Sequence, residues 1–425
     1  MSSREFVLFA LQVALMLAFG LFFGQLLRRR HQPAVVGEML AGILLGPTVV
    51  GALFPAFYSW LFLSSDQVAA ARDAMIKLGM LLFLFIAGLD VDLPDLRRSG
   101  RQPILIGLIG TVVPIVVGVA LVYSLPIGFW GPTAGAQLLP FALFVGMNLA
   151  NSANPVIARV LMDLGLLRTS IGSLVMSSTI VDDLVNWTLF AVVLNQIAPN
   201  HPGSTRGVGL TILVVVGFFV LVLGIGRRFG GSLLHWLRSH VAWPTGFIGL
   251  TTIVVLAIGS LSEALGLHAF LGAFLVGAAL GGRSQEKNEA HEVISHFVLS
   301  FFAPIYFVSM GMAANFAAEF DVLLVLVILI AAFASKIGAV VLGARVAGMP
   351  ISPEVWAVAF GLNARGATGI ILASVGLAYG LIDERIFVAM VVMAMVTSLV
   401  SGPSMKAVLE RQASVAAAER ESTGA

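Results

Sequence analysis

Apolar runs of about 20 residues follow one another along the chain, separated by short charged segments. Lipid leaves backbone polar groups unpaired unless they lie in a helix or a closed barrel, and the alternating pattern of barrel strands is not found. The sequence therefore predicts an all-α polytopic membrane protein with about 13 transmembrane helices. The predicted spans lie near residues 6–27, 33–55, 75–91, 103–125, 138–162, 170–195, 207–226, 244–264, 267–282, 294–316, 321–346, 353–379 and 385–404.

Lysine and arginine concentrate in every second connection between these spans. Because cytoplasmic loops are rich in both residues, the connections after odd-numbered spans are predicted to be cytoplasmic, with the N-terminus outside. Residues 1–405 then form a transmembrane domain of the inner membrane, and residues 406–425 form a short cytoplasmic tail. The first span is too long for a signal peptide and is predicted to be retained. The cytoplasmic set is Arg28, Arg29, Arg30, Arg97, Arg98, Arg101, Arg168, Arg227, Arg228, Arg238, Arg283, Lys287, Arg345, Lys406 and Arg411; the outer set is Arg4, Arg72, Lys77, Arg206 and Arg385.

Composition agrees with membrane embedding. Hydrophobic residues make up 59% of the 425 and charged residues 11%, with a mean hydropathy of +1.00. The net charge of +2 is too small to indicate a nucleic-acid partner, and the lack of cysteine excludes disulfides and thiolate chemistry. No nucleotide loop, nucleophile elbow or zinc motif occurs, so neither an enzyme nor a cofactor is predicted.

The two halves of the sequence share a glycine pattern. Matching helices lie seven spans apart, so each pair crosses the membrane in opposite directions. This predicts two inverted-topology repeats, spans 1–6 and 8–13, with span 7 as connector, an architecture typical of secondary transporters. The alternative is that these glycines only allow close helix packing. The matched residues are Gly37, Gly42 and Gly46 with Gly272, Gly277 and Gly281, followed by segments 83–89 and 306–312.

Span 6 carries polar residues that lipid does not tolerate. On a helix, Ser178, Asp182 and Asn186 lie on one line and Thr179 and Asp183 on the next. Two adjacent carboxylates at bilayer depth repel each other and lose solvent, so a proton can compete there with a bound cation. Carboxylate, hydroxyl and amide oxygens suit a hard monovalent cation. The alternative is a helix end near water, which the central position of the pair disfavours.

Lys336 lies near the middle of span 11, where no acidic residue occurs between residues 322 and 346. A buried lysine needs an anionic partner, and the aspartates of span 6 are the obvious suppliers. The alternative is that the side chain extends to the membrane surface.

Two spans look interrupted, span 5 by proline and asparagine and span 12 by glycine. Irregular backbone at depth survives only where protein or a water cavity covers it, and these spans correspond in the two proposed repeats. Broken crossing helices with a midplane site are therefore predicted, against the alternative of ordinary kinks. The residues concerned are Asn151, Ser152, Asn154 and Pro155 in span 5, and Asn363, Arg365 and Thr368 in span 12, with Arg159 nearby.

Three other ionisable residues are weaker candidates. Glu38 follows Pro33 closely, which favours an interfacial position over a site role. Glu263 is predicted near the outer surface, and His268 is interpreted as structural.

The chain resembles the bacterial monovalent cation:proton antiporter-2 family of the sodium/proton exchanger superfamily over nearly its whole length. The motifs that carry the resemblance are residues 32–47 (QPAVVGEMLAGILLGP), 78–90 (LGMLLFLFIAGLD), 181–183 (VDD), 335–338 (SKIG) with 343–345 (GAR), and 363–366 (NARG).

The resemblance implies a homodimer with a scaffold domain and a mobile core domain that works by an elevator-like cycle. It implies that Asp183 is the principal Na⁺ and proton carboxylate, and that Asp182 pairs with Lys336 until a cation or proton binds. Both aspartates together with the lysine are similar to electrogenic, sodium-preferring members with roles in pH homeostasis. One departure leaves the choice of cation open: residues 151–154 (NSAN) replace a common Thr-Ser pair.

The sequence thus predicts a secondary active Na⁺ (or Li⁺)/H⁺ antiporter with Asp182, Asp183, Ser178, Thr179, Asn154 and Ser152 as cation and proton ligands. A K⁺/H⁺ antiporter and a sodium-coupled symporter of an organic anion are the alternatives within transport. A membrane-embedded sensor or enzyme is disfavoured, since no soluble domain or nucleophile arrangement is present.

Overall fold

A computed structural model describes residues 1–30, 32–89, 100–167, 169–197, 208–240, 245–267, 269–280, 292 and 294–423. Every regular element within these residues is a helix. Several residues considered above lie outside the described part of the chain, namely Arg97, Arg98, Arg168, Arg206, His268, Gly281, Arg283 and Lys287.

The helices follow the predicted spans in order. They are α1 (Ser3–Arg28), α2 (Ala34–Leu45), α3 (Val50–Leu53), α4 (Pro55–Phe62), α5 (Asp66–Leu89), α6 (Arg101–Ser124), α7 (Ile127–Trp130), α8 (Pro132–Ala136), α9 (Leu138–Ala150), α10 (Asn154–Asp163), α11 (Ser170–Ile197), α12 (Val208–His240), α13 (Thr245–Ala264), α14 (Ala269–Leu280), a π-helical turn (Val298–Phe302) leading into α15 (Ala303–Gly311), α16 (Val322–Val346), α17 (Pro353–Leu362), α18 (Ala367–Ala378) and α19 (Glu384–Thr423).

Membrane-spanning character is clear from length and composition. Eight helical segments of the described residues are long and apolar enough to cross a bilayer, and five shorter apolar helices accompany them. Each predicted span contains a helix, which confirms the all-α polytopic prediction. Polar side chains define some of the helix starts: Asp321 caps α16 by accepting a 3.0 Å hydrogen bond from the backbone N–H of Leu324.

Helix ends differ from the hydropathy windows where charged residues continue a helix. α5 begins at Asp66, before the window that starts at residue 75, and α12 continues to His240. α19 runs through the proposed tail as far as Thr423, so residue 405 does not mark the end of a helix. The short helix α3 lies within the predicted span 33–55, whereas α4, α7 and α8 had no predicted counterpart, because a hydropathy window cannot detect one or two turns between spans.

The chain forms two compact units, each made of two separate segments. The first unit comprises residues 1–93 and 191–320, and the second comprises residues 94–190 and 321–425. The first unit contains α1–α5 and α12–α15, whereas the second contains both interrupted helix pairs, α9/α10 and α17/α18.

In the first unit, glycines allow two pairs of helices to touch backbone to backbone. A Cβ atom at Gly42 of α2 would lie 2.8 Å from the Cα of Gly311 in α15. A Cβ at Gly277 of α14 would lie 2.9 Å from the carbonyl carbon of Gly88 in α5. Side chains larger than hydrogen therefore cannot occupy these crossings without a backbone shift.

The two crossings are equivalent in the glycine pattern found in the sequence. Gly42 corresponds to Gly277, and Gly311 corresponds to Gly88, so the contact of α2 with α15 repeats as the contact of α14 with α5. The repeat therefore extends to particular backbone contacts, as expected for two halves with the same packing. Assigning spans 1–6 and 8–13 to the repeats, with span 7 as connector, stays a prediction.

In the second unit, the two helix interruptions lie against each other. The backbone N–H of Ala153, between α9 and α10, donates a 2.9 Å hydrogen bond to the carbonyl of Ala364, between α17 and α18. The hydroxyl of Ser152 donates a 2.8 Å bond to the carbonyl of Leu362, the last residue of α17. Non-helical polar groups of one interruption thus form hydrogen bonds with the other, as backbone groups buried within a membrane protein require.

We predict that Gly277→Ala destabilises the protein, because its Cβ would also meet the backbone nitrogen of Leu89 at 2.8 Å. Overpacking of this kind costs about 1–3 kcal/mol. Gly217→Ala in α12 is the control, since its Cβ meets nothing within 4 Å. Thermal unfolding of the detergent-purified variants should show a lower Tm for the first and an unchanged or higher Tm for the second. Equal melting temperatures would contradict the backbone crossing.

Candidate cation and proton site

The two aspartates of α11 are buried in the part of this helix that belongs to the second unit. Asp182 and Asp183 are 1% and 2% exposed and fall in the middle of the helix, Ser170–Ile197. The alternative of an acidic pair at a water-exposed helix end is therefore wrong. Lys336 is equally buried, at 1% exposure, so its side chain does not extend to the surface.

Both carboxylate oxygens of Asp182 are engaged. Oδ2 accepts a 3.1 Å hydrogen bond from Lys336 Nζ, forming a buried ion pair between α11 and α16. Oδ1 accepts a 2.5 Å bond from the hydroxyl of Thr111 in α6 and a 3.2 Å bond from Asn186 Nδ2. The carboxylate of Asp182 is thus compensated by one cation and two neutral donors, as a buried charge requires.

Lys336 has a second partner at the end of a half-helix. Its ammonium group donates to the carbonyl of Ala150, the last residue of α9. The last carbonyls of a helix lack intrahelical partners and carry the negative end of the helix dipole. The interruption after α9 thereby supplies a second oxygen acceptor that stabilises the buried ammonium.

Asp183 faces the other half of the broken span. Asn154, the first residue of α10, donates to Asp183 Oδ2 through its side-chain Nδ2. The Oδ1 atom of Asn154 is buried and has no hydrogen-bond partner among the described residues. An amide oxygen beside a carboxylate is an arrangement of oxygen ligands that suits a hard monovalent cation. The N-terminal end of α10 also favours negative charge at this position.

Arg365 occupies the crossing between the two interruptions. It is fully buried, and its guanidinium donates to Asn363 Oδ1 at 2.8 Å, to the carbonyl of Ala332 at 3.0 Å and to the carbonyl of Leu149 near the end of α9. Arg365 therefore links α9, α16 and the interruption after α17. Of its acceptors, the carbonyl of Leu149 lies in the last turn of α9, where carbonyls lack intrahelical partners. This is the role expected of a cation where half-helix ends meet.

The remaining predicted residues of the interruptions join the same network. Asn151 Nδ2 donates a 2.9 Å hydrogen bond to the hydroxyl of Thr368. That hydroxyl in turn lies 3.5 Å from the carbonyl of Ser152. Pro155 stands in the first turn of α10, where a missing N–H costs nothing; its side chain and that of Arg159 lie outside the described part.

Ser178 and Thr179 are buried on α11, but their hydroxyls turn to their own helix. Ser178 donates to the carbonyl of Leu174 and Thr179 to that of Met176, each at 2.8 Å. Only their oxygen lone pairs remain for a ligand. Their assignment as cation ligands stays a prediction.

Sequence reasoning missed Thr111. A single threonine in an apolar span usually bonds its own helix, and Thr111 does lie 2.7 Å from the carbonyl of Gly107. The available signal was Gly107 itself: a Cβ there would lie 2.6 Å from the carbonyl oxygen of Ser178. Gly107 thus allows α6 to approach α11 closely and brings Thr111, one turn on, to Asp182.

Together, the crossed interruptions and the buried aspartate–lysine pair define a polytopic membrane protein of the broken-helix transporter class. A model of the transmembrane sodium/hydrogen exchanger family matches residues 13–411. The chain therefore belongs to this family, which consists of transporters and not of enzymes, and the monovalent cation:proton antiporter resemblance is confirmed.

Among known proteins, the chain is 31% identical over 407 residues to "Cation/H(+) antiporter 17" of Arabidopsis thaliana, covering 94% of this chain and 48% of the relative. It is 29% identical over 406 residues to "Na(+)/H(+) antiporter NhaS4" of Synechocystis sp., covering 95% and 97%. The chain thus spans about half the length of the plant relatives and nearly all of the cyanobacterial one.

The solved structure of the sodium proton antiporter MjNhaP1 from Methanocaldococcus jannaschii aligns with a TM-score of 0.69 over 94% of this chain and 96% of that one. At 14% identity this likeness concerns the fold alone, and it confirms the predicted antiporter fold.

We expect Thr111→Val to destabilise the protein, because valine keeps the shape of threonine but removes the hydroxyl that donates to the buried carboxylate of Asp182. Such a loss costs about 1–3 kcal/mol, and Thr111→Ser should recover most of it. Thermal unfolding of the three proteins measures this. A serine variant as unstable as the valine variant would show that the methyl group, not the hydroxyl, matters.

Lys336→Ala should destabilise the protein more strongly, by about 3–5 kcal/mol, since it leaves the carboxylate of Asp182 without its cation. The loss should shrink at low pH, where protonation of Asp182 removes the uncompensated charge. Lys406→Ala, which removes an exposed lysine, is the control. Thermal unfolding across a pH series would contradict the ion pair if both variants behaved like wild type.

Proposed function

We propose that the protein is a secondary active antiporter that exchanges Na⁺ or Li⁺ for protons across the cytoplasmic membrane. The observation that carries this proposal is that two adjacent buried carboxylates have chemically different partners. Asp182 forms an ion pair with Lys336, whereas Asp183 accepts a hydrogen bond from the amide of Asn154, whose own Oδ1 has no hydrogen-bond partner among the described residues.

This difference gives the two carboxylates different tasks. Because Lys336 pairs with Asp182, Asp183 is the carboxylate proposed to bind an incoming cation or proton. Either ligand satisfies the same carboxylate, so the two compete. We propose that the carrier changes sides only with this carboxylate neutralised, so each crossing carries either a cation or a proton. Competition of this kind couples the two flows without a covalent step.

The hydrogen bond from Lys336 to the carbonyl of Ala150 gives the ammonium a second partner. If a cation or proton at the pair weakens the bond to Asp182, the half-helix end still stabilises the lysine. Lys336 can therefore leave Asp182 during the cycle without becoming an isolated buried charge. Family resemblance adds that release of this pair accompanies binding.

Alternating access is proposed to occur by an elevator-like movement of the second unit. All the site residues discussed above belong to that unit, on α6, α9–α11 and α16–α18. The interruptions bond each other and Arg365, so the site can move without being dismantled. A homodimer built on the other unit is proposed from the family resemblance.

The choice of cation is the least constrained part of the proposal. Relatives carry the names Na⁺/H⁺ antiporter in Synechocystis and "Na(+)/H(+)-K(+) antiporter GerN" in Bacillus cereus, the latter at 25% identity. Two aspartates with a lysine favour Na⁺, while the amide of Asn154 in place of a hydroxyl keeps K⁺ as the alternative. The arginine-rich connections support a multi-pass protein with its C-terminus in the cytoplasm.

We predict that Asp183→Asn abolishes cation-evoked proton movement in proteoliposomes while the protein remains folded, because the amide cannot exchange a proton for a cation. Proton flux is recorded on addition of Na⁺, Li⁺ and K⁺ separately, which ranks the ions. Asp66→Asn, at the exposed start of α5, is the matched control and should transport like wild type.

Normal exchange by Asp183→Asn would refute the role of Asp183. No response of the wild-type protein to any of the three ions, in tight vesicles, would refute cation antiport and favour sodium-coupled uptake of an organic anion.

A further inference from the structure

A third buried carboxyl lies in the first unit, apart from the aspartate pair. Glu38 is the one ionisable residue of α2 and is 5% exposed. An interfacial side chain would be exposed, so the interfacial interpretation does not account for this position. Nothing in the antiport cycle described above uses Glu38.

The surroundings of Glu38 offer little to a negative charge. On α1, a Cβ at Gly24 would lie 3.3 Å from both Cγ and Oε1 of Glu38, so the glycine makes room for the carboxyl. Arg28, one turn further along α1, attracts the carboxylate electrostatically. Among the described residues, Glu38 has no hydrogen bond or ion pair. The other helices packed on α2 are α3, with no titratable side chain, and α15, whose one titratable residue is Tyr306.

The repeat shows that packing alone does not require this carboxyl. The glycine spacing that aligns Gly37 with Gly272 aligns Glu38 with Ala273 and Gly24 with Gly259. A Cβ at Gly24 would lie 3.7 Å from the Cβ of Ala34, and a Cβ at Gly259 would lie 3.7 Å from the Cβ of Ala269, the equivalent residue. The α13–α14 contact is thus built like the α1–α2 contact, with a buried alanine in place of the glutamate.

We infer that Glu38 is a proton-binding site separate from the aspartate pair, and that its proton is bound while α1 and α2 pack as described. An ionised carboxylate without hydrogen-bond donors is costly to bury, whereas a neutral carboxyl is tolerated far better. Proton release therefore requires water or Arg28 to reach the carboxylate, which means loosening the contact at Gly24. On the proposed orientation, α1 ends and α2 begins at the cytoplasmic face, so the cytoplasm supplies the proton.

Infrared spectroscopy of the purified protein tests proton binding without any transport assay. At neutral pH the wild-type spectrum should contain a C=O stretching band of a protonated carboxyl that is lost in Glu38→Gln and in Glu38→Ala. The alanine variant is expected to fold, because Ala273 fills the equivalent position. Glu263→Gln is the control: its carboxylate accepts a 2.8 Å bond from the N–H of Ala269 at a half-buried site, and its removal should leave the band in place.

Thermal unfolding gives a second readout with a definite sign. A proton held by folded protein and released on unfolding makes stability fall as pH rises, so the Tm of wild type should decline relative to Glu38→Ala through the neutral range. The inference would be overturned if the Glu38 variants lost bands of an ionised carboxylate and kept the C=O band. It would also be overturned if the melting temperatures of wild type and Glu38→Ala changed in parallel at all pH values. Neither measurement depends on exchange, so a failure of the proposed antiport leaves this test intact.

Discussion

A lysine in the middle of a transmembrane helix has to find negative charge inside the protein, because lipid provides none. Lys336 has two such partners, the carboxylate of Asp182 and the partial negative charge on the carbonyl oxygen of Ala150. The second partner exists because α9 ends at depth, leaving its last carbonyls unpaired. The buried ion pair and the broken helix therefore depend on each other, and the rest of the second unit is arranged around that dependence.

The need of each buried charge for a partner inside the protein also accounts for the charge balance where the two interruptions cross. Asp182 and Lys336 compensate each other, and Arg365 is compensated by carbonyls near the ends of α9 and α17. The carboxylate of Asp183, on α11, lies beside Asn154 at the start of α10, where the helix dipole favours a negative charge. A cation or proton that arrives at Asp183 brings one positive charge into a region already rich in carbonyl oxygens. These oxygens, together with the carboxylate of Asp183, can stabilise the incoming positive charge.

Sequence analysis identified the ionisable residues whose burial within the membrane is energetically costly. Asp182, Asp183 and Lys336 stand out because each is expensive in an apolar window, and the structure joins two of them. The partners of Arg365 could not be predicted, since backbone carbonyls have no residue identity, and neither could the bond from Thr111, since a hydroxyl can bond its own helix. The boundaries of the two units escaped sequence reasoning for a different reason: each unit is assembled from segments far apart in the chain.

The repeat separates residues needed for packing from residues needed for chemistry. Gly42 and Gly277 occupy equivalent crossings, because both halves must bring backbones together in the same way. The interruptions also begin alike, at Asn151 and Asn363, yet one continues toward Asn154 and the other toward Arg365. Packing constraints act equally on both halves, so they cannot explain a difference between equivalent positions. The contacts of the two differing residues account for them: Asn154 donates to the carboxylate of Asp183, and Arg365 donates to the carbonyl of Leu149 near the end of α9.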